Sequence, residues 1–185
     1  DLMLKEARAE HPGLPVFLIA HSLGCAVSVQ YLLTHDDHGI SGLATSAGAF
    51  QPGSDINPLK IKAAGFLSRF LPKLPVEKLK SGSTSRDPEV VRQYDADPLV
   101  YRGAIRSRLG GEFLKTLTHI EENASRLTLP LFLMPGDADS MTEPAGTKMI
   151  YNRSTSDPRI WPEPPRACTA SEERCTAISP AKHLA

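Results

Sequence analysis

The 185-residue chain is predicted to fold as an α/β domain, a mostly parallel sheet flanked by helices and interrupted by a helical insertion. Three features predict this. Residues 14–20, LPVFLIA, and 127–136, LTLPLFLMPG, are short apolar runs without polar alternation, the pattern of parallel strands covered on both faces. Helix-like segments follow each run, as strand–crossover–strand units require. Residues 51–126 then hold helical spacing and no convincing strand, far more chain than the dozen or so residues of a minimal crossover.

Taken in order, DLMLKEARAEHPG reads as the end of a helix closed at Pro12 and Gly13. Strand 14–20 follows, then a helix over 23–35 that the polar tract THDDHG terminates. ISGLATSAGAF at 40–50 is the next expected strand, weakened by its Gly and Ser content. In the insertion, PLKIKAAGFLSRFLPKL, DPEVVRQYDADPLVYRGAI and GGEFLKTLTHIEENASRL each place apolar residues at helical spacing. After the strand at 127–136, Pro144 lies near the start of a helix reaching about Tyr151. The expected division is a core over 1–50, a helical cap or lid over 51–126, core again over 127–162, and a divergent, disordered tail over 163–185. The tail clusters Pro, Cys, Ser and Thr and has no helical period.

The chemistry is expected at two loops. Ser22, in HSLG, is squeezed between an apolar strand and a helix. A strand that turns so tightly into a helix leaves its serine hydroxyl standing clear of the sheet and needs small neighbours, which Ala20 and Gly24 supply. Ala20 replaces the first glycine of the G-x-S-x-G pattern. The helix N-terminus beneath offers free N–H groups to a developing oxyanion, that of Leu23 first among them. The competing reading is a serine that only caps the helix from 23. The second loop, GDADS, follows the strand at 127–136. Parallel sheets place ligands at the carboxyl ends of their strands, so Asp139 is the candidate acid for orienting a histidine opposite Ser22. Asp137 is the local alternative, and an acidic loop that merely caps the helix near Pro144 is the other. Serine before acid is also the chain order of this elbow type.

Composition excludes other classes. Lys plus Arg and Asp plus Glu are equal at 21 each, a formal net charge of zero, which gives no electrostatic case for nucleic acid or an anionic membrane. The apolar stretches are broken well short of a bilayer span and no leader-like segment opens the chain, so it is expected to be soluble and cytoplasmic. Cys25, Cys168 and Cys175 form neither a metal-ligand spacing nor an even disulfide set, so no metal or cofactor is expected. Cys25 reads as packing. Because the chain lacks a starting Met and its first strand already bears the serine, a further upstream part of the sheet is expected.

AHSLGCAVSVQYLLTH, LKSGSTSRDPEVVRQYDADPLVYRGAI and LTLPLFLMPGDADSMTEPAG resemble the monoacylglycerol lipases and lysophospholipase-like members of the α/β-hydrolase superfamily, over roughly residues 1–162. The resemblance implies an α/β-hydrolase fold fragment with a helical cap. Ser22 then matches the nucleophile, Leu23 the oxyanion-hole N–H, Asp139 the triad acid, and His21 the residue before the nucleophile, without a chemical role. The implied reaction is hydrolysis of the ester of a monoacylglycerol or similar single-chain lipid through an acyl-enzyme. It needs no cofactor and no nucleic acid, and the cap is a candidate for peripheral membrane contact. Phe66, Leu67, Phe70 and Leu71 are candidates to roof the acyl pocket or, alternatively, to pack the cap on the domain.

Two departures stand out. The family's other oxyanion donor lies in an earlier His-Gly loop that this chain lacks. Its triad histidine follows the last strand, here RIWPE at 159–163, and counting onward places Arg166 where histidine belongs. A reading-frame error or alternative tail after about Glu163 is the expected cause. His11, His35, His38 and His119 fall on helix ends or in the insertion and read as solvated polar residues. His183 follows the acid in the right order but without a strand to aim it. The chain as written is therefore expected to be inactive. The alternatives are a catalytically dead binding module that keeps the elbow and cap, and a general esterase or peptidase of the same superfamily.

Overall fold

A computed structural model describes residues 2–52, 58–78, 85, 87–136, 139 and 141–162. Helix α1 (Leu2–Glu10) leads into β1 (Val16–His21), α2 (Leu23–Thr34) and β2 (Ile40–Ser46). The insertion contributes α3 (Pro58–Phe70), β3 (Pro75–Glu77), α4 (Pro88–Ala96), β4 (Ile105–Arg106) and α5 (Ser107–Asn123). Then come β5 (Leu131–Met134), α6 (Pro144–Arg153) and β6 (Arg159–Ile160). Among the described residues the main sheet runs β1-β2-β5-β6, with every pairing parallel. The register sets His21 beside Ser46 and Ser46 beside Met134, so β1, β2 and β5 end level and their following loops emerge at one edge.

Cys25, Val29 and Leu33 of α2, Leu43 of β2, Leu131 and Leu133 of β5 and Ile150 of α6 form the core. Leu117 and Ile120 join it from the second half of α5, while Gly111 in its first half lies against Ser68 of α3, so closely that a Cβ there would meet the Ser68 side chain. One helix thus ties the insertion to the sheet. At the far end of α4, the Arg102 guanidinium donates to the carbonyls of Tyr94 (2.8 Å), Asp95 (2.6 Å) and Asp97 (2.9 Å), satisfying acceptors that the end of a helix leaves open.

Three differences from the sequence reading have physical causes. The insertion is not purely helical: β3 and β4 pair antiparallel, but at three and two residues they are too short to show a period. The strand expected over 127–136 narrows to Leu131–Met134. Leu127 and Leu129 are buried, yet Pro130 has no N–H to donate to a ladder, and the Leu127 carbonyl instead accepts from Thr155 N–H at 3.0 Å. Finally, β1 is covered on one face only. Phe17 and Ile19 are 63% and 86% exposed while Ala20 is 7% exposed: among the described residues nothing covers the face that Phe17 and Ile19 share.

The turn into β2 depends on a neutral histidine. His38 Nδ1 accepts the Ile40 N–H at 2.9 Å, which a protonated ring nitrogen cannot do. Partial burial, followed by the nearby Arg8 guanidinium, lowers the His38 pKa against the opposing pull of Asp37 and Asp36. A base whose pKa is depressed on folding contributes stability above its unfolded pKa of about 6.5, and loses it as pH falls through that value. His38→Asn keeps an acceptor for Ile40 without titrating. Its melting temperature should fall less than that of the parent between about pH 7.5 and about pH 5. Equal slopes would show that His38 carries none of the acid sensitivity.

Candidate active site

Ser22 is the single residue between β1 and α2, and its backbone is left-handed, with φ 51° and ψ −122°. For a non-glycine residue this costs about 1–3 kcal/mol and persists only where neighbours over-determine it. They do so here. The Ser22 N–H donates to the Ser46 carbonyl at 3.0 Å, and the Ser22 carbonyl accepts from Cys25 N–H at 3.0 Å and Ala49 N–H at 3.2 Å. The serine side chain makes no capping hydrogen bond to α2, so the capping reading of Ser22 is not realised. Leu23 is the first residue of α2, and its N–H belongs to the first-turn group that has no intrahelical acceptor. Ala20 is buried as a tight turn requires. Gly24 departs from the expectation: a Cβ there would meet nothing within 4 Å, because position 24 faces open space among the described residues.

The segment after β2 is the part of the site that sequence reasoning missed. Ala47 is the second non-glycine residue with positive φ, at 47°, and its N–H donates to the Met134 carbonyl at 2.9 Å. Phe50 is 1% exposed, a Cβ on Gly48 would run into its ring, and Gly146 of α6 passes close to its backbone. This buried strap delivers Ala49 to the Ser22 carbonyl. Its signal in the sequence was the small-residue string TSAGA, which read only as a weak strand. Cys25 supports the same wall: its Sγ donates to the Ser46 carbonyl at 3.6 Å, and burial pushes the thiol pKa up, consistent with packing.

Asp139 lies beyond β5, one strand removed from β1 on the far side of β2. Its Oδ1 accepts from the N–H groups of Met141 (2.8 Å) and Thr142 (2.9 Å), and its Oδ2 accepts from Thr142 Oγ1 at 2.5 Å. It therefore orders its own turn. It is not the α6 cap, a position held by Glu143, whose side chain makes no capping hydrogen bond. A carboxylate offers about four acceptor sites, so these three donors leave room for one more. Asp137 lies outside the described residues.

Three of the described histidines are engaged elsewhere. His35 stacks on Tyr31 with ring centroids 4.2 Å apart, and His38 holds Ile40. His119 Nδ1 meets Gln30 Oε1 at 2.8 Å between α5 and α2. His11 is an exposed residue just after α1. His21 alone sits at the carboxyl edge, exposed and directly before Ser22. β6 does pair parallel to β5, as the RIWPE reading expects, so Trp161 follows it toward the carboxyl edge of the sheet. Arg166 and His183, like Cys168 and Cys175, lie outside the described residues. Among the described residues no group of three or more His, Cys, Asp or Glu side chains could hold a metal ion.

A strained serine at a parallel strand-to-helix turn, with an acid loop one strand away, is the layout of a serine hydrolase. Residues 1–160 match the family described as serine aminopeptidase, S33. The chain belongs to this hydrolase family. It is similar to a monoacylglycerol lipase of Mycolicibacterium smegmatis, with 30% identity over 151 residues that cover 82% of this chain and 54% of that protein. A rat monoglyceride lipase is 29% identical over 147 residues, covering 80% of this chain and 48% of the relative. The solved monoacylglycerol lipase of Paleococcus ferrophilus superposes with a TM-score of 0.74 at 28% identity, over 85% of this chain and 62% of that one. The fold is that of an α/β-hydrolase. The chain spans about half the length of the first two relatives.

Proposed function

We propose that this S33-family chain carries the nucleophile and acid of a serine hydrolase that cleaves the carboxylic ester of a monoacylglycerol or similar single-chain lipid. The observation that carries the reading is Ser22, held at positive φ by three backbone hydrogen bonds at the start of α2. Its Oγ attacks the ester carbonyl while a histidine takes the proton and passes it to the departing alcohol oxygen. The Leu23 N–H receives the oxyanion, and Asp139 uses its remaining acceptor capacity to hold that histidine in the right tautomer. Water, deprotonated by the same histidine, then attacks the acyl-enzyme and releases the fatty acid.

One observation favours a second reading, a binding module without turnover: among the described residues only His21 lies at the carboxyl edge, and it adjoins the nucleophile in sequence. The 185-residue chain alone should accordingly hydrolyse a short-chain nitrophenyl ester no faster than buffer. Turnover that disappears in Ser22→Ala would contradict this, and His183→Ala would then show whether the tail supplies the base. To test the substrate class, residues 163–185 are replaced by the corresponding segment of the M. smegmatis lipase, and the part of that enzyme unmatched by this chain is added. The complemented protein should release fatty acid from a monoacylglycerol and leave an aminoacyl anilide intact. Preference for the anilide would establish a peptidase instead.

A further inference from the structure

Asp139 lies in the connection between β5 and α6, and its two oxygens are held differently. Oδ1 accepts two N–H groups, from Met141 at 2.8 Å and Thr142 at 2.9 Å. A carboxylate oxygen has two acceptor sites, so Oδ1 is full. Oδ2 accepts one donor among the described residues, the Thr142 hydroxyl at 2.5 Å, a short charge-assisted bond of the kind stronger than its neutral counterpart. The acceptor site left for a histidine is therefore on Oδ2, beside that hydroxyl. Gly136 keeps the same flank clear: a Cβ there would stand 3.1 Å from the Asp139 Cβ and 3.7 Å from Oδ2.

Thr142 thus grips both oxygens of one carboxylate, Oδ1 through its N–H and Oδ2 through its hydroxyl. The terminal torsion of an aspartate is broad, so the two N–H bonds to Oδ1 alone would leave Oδ2 free to swing. The hydroxyl removes that freedom, and because Thr142 is buried solvent competes little for its proton. We propose that Thr142 is a positioning residue for the hydrolysis proposed above: its hydroxyl aims the remaining acceptor site of Asp139 Oδ2 at the Nδ1–H of the catalytic histidine. This rests on the reading of Asp139 as the acid. Thr142 touches no substrate and acts only through Asp139, which holds the imidazole that takes the Ser22 proton. A misplacement of about 1 Å along such a chain of groups costs on the order of 10²-fold in rate.

Steady-state hydrolysis of a nitrophenyl ester by the complemented protein tests the proposal. Thr142→Val deletes the hydroxyl at similar shape and leaves both N–H bonds to Oδ1, so kcat should fall by about 10- to 100-fold while KM moves less than about twofold. Thr142→Ala, also without a donor, should match it, and Thr142→Ser, which keeps the donor, should stay within about threefold of the parent. In an Asp139→Asn background, Thr142→Val should cost nothing further, because residues that act as a unit are not additive. A threonine that only stabilised the turn would lower kcat by the same factor in both backgrounds. Circular dichroism checks that each variant is folded. Parental kcat in Thr142→Val and Thr142→Ala, an equal loss in Thr142→Ser, or equal losses in the two backgrounds would overturn the proposal while a crippled Asp139→Asn left the acid reading standing. If instead Asp139→Asn kept kcat within about tenfold of the parent, the acid reading would fall and the proposal with it.

Discussion

Ser22→Ala in the complemented enzyme is expected to abolish labelling by a fluorophosphonate probe and to lower kcat by on the order of 10⁶. The size of the effect follows from the geometry. Ser22 is the residue whose backbone the fold forces to φ 51°, and hydrogen bonds from Cys25 and Ala49 and to Ser46 fix it there. Alanine tolerates that backbone no worse than serine, so the fold survives and only the hydroxyl is lost. Labelling that persists in Ser22→Ala would remove the nucleophile assignment. Asp139→Asn should follow with a kcat loss of about 10⁴, since an amide at this position favours the wrong histidine tautomer. A loss below about tenfold would mean that Asp139 serves only the turn with Met141 and Thr142, and Asp137 would become the acid to test.

The isolated 185-residue chain should self-associate rather than behave as a monomer. β1 has an unpaired edge in the described sheet, and its sequence VFLIA carries no charge and no proline. Phe17 and Ile19 stand on its uncovered face. Natural sheets protect such edges with charge, proline or a covering element, because a bare apolar strand pairs with other chains. Size-exclusion chromatography of the parent should show material larger than a monomer, and a broad thermal transition should accompany it. Phe17→Lys/Ile19→Lys places charge where the side chains are already solvated and should shift the elution toward the monomer. A parent that elutes as one sharp monomer peak and melts cooperatively would mean that the exposed strand is harmless.

How much was legible can be judged element by element. The parallel strands around Ser22 and before Asp139, the helix after each and the long insertion were readable, because apolar runs and helical spacing are local properties of the chain. Ser22, Leu23 and Asp139 were readable as candidates for the same reason: the elbow and the acid loop are short segments with their chemistry written into neighbouring residues. Other features belong to contacts between segments far apart in sequence. The strap from Ala47 to Phe50 looked like a poor strand, and only its packing under Gly146 and its hydrogen bond to Ser22 reveal its work. Gly24 looked sterically required and faces open space. LPVFLIA looked like a strand covered on both faces, since hydrophobicity records what a strand would bury and not whether a neighbour is there to cover it. The apolar stripe of α3 shows the same limit: periodicity reveals that a helix has an apolar side, while only the tertiary structure decides whether that side meets the core or, as for Phe66 and Phe70, lies exposed.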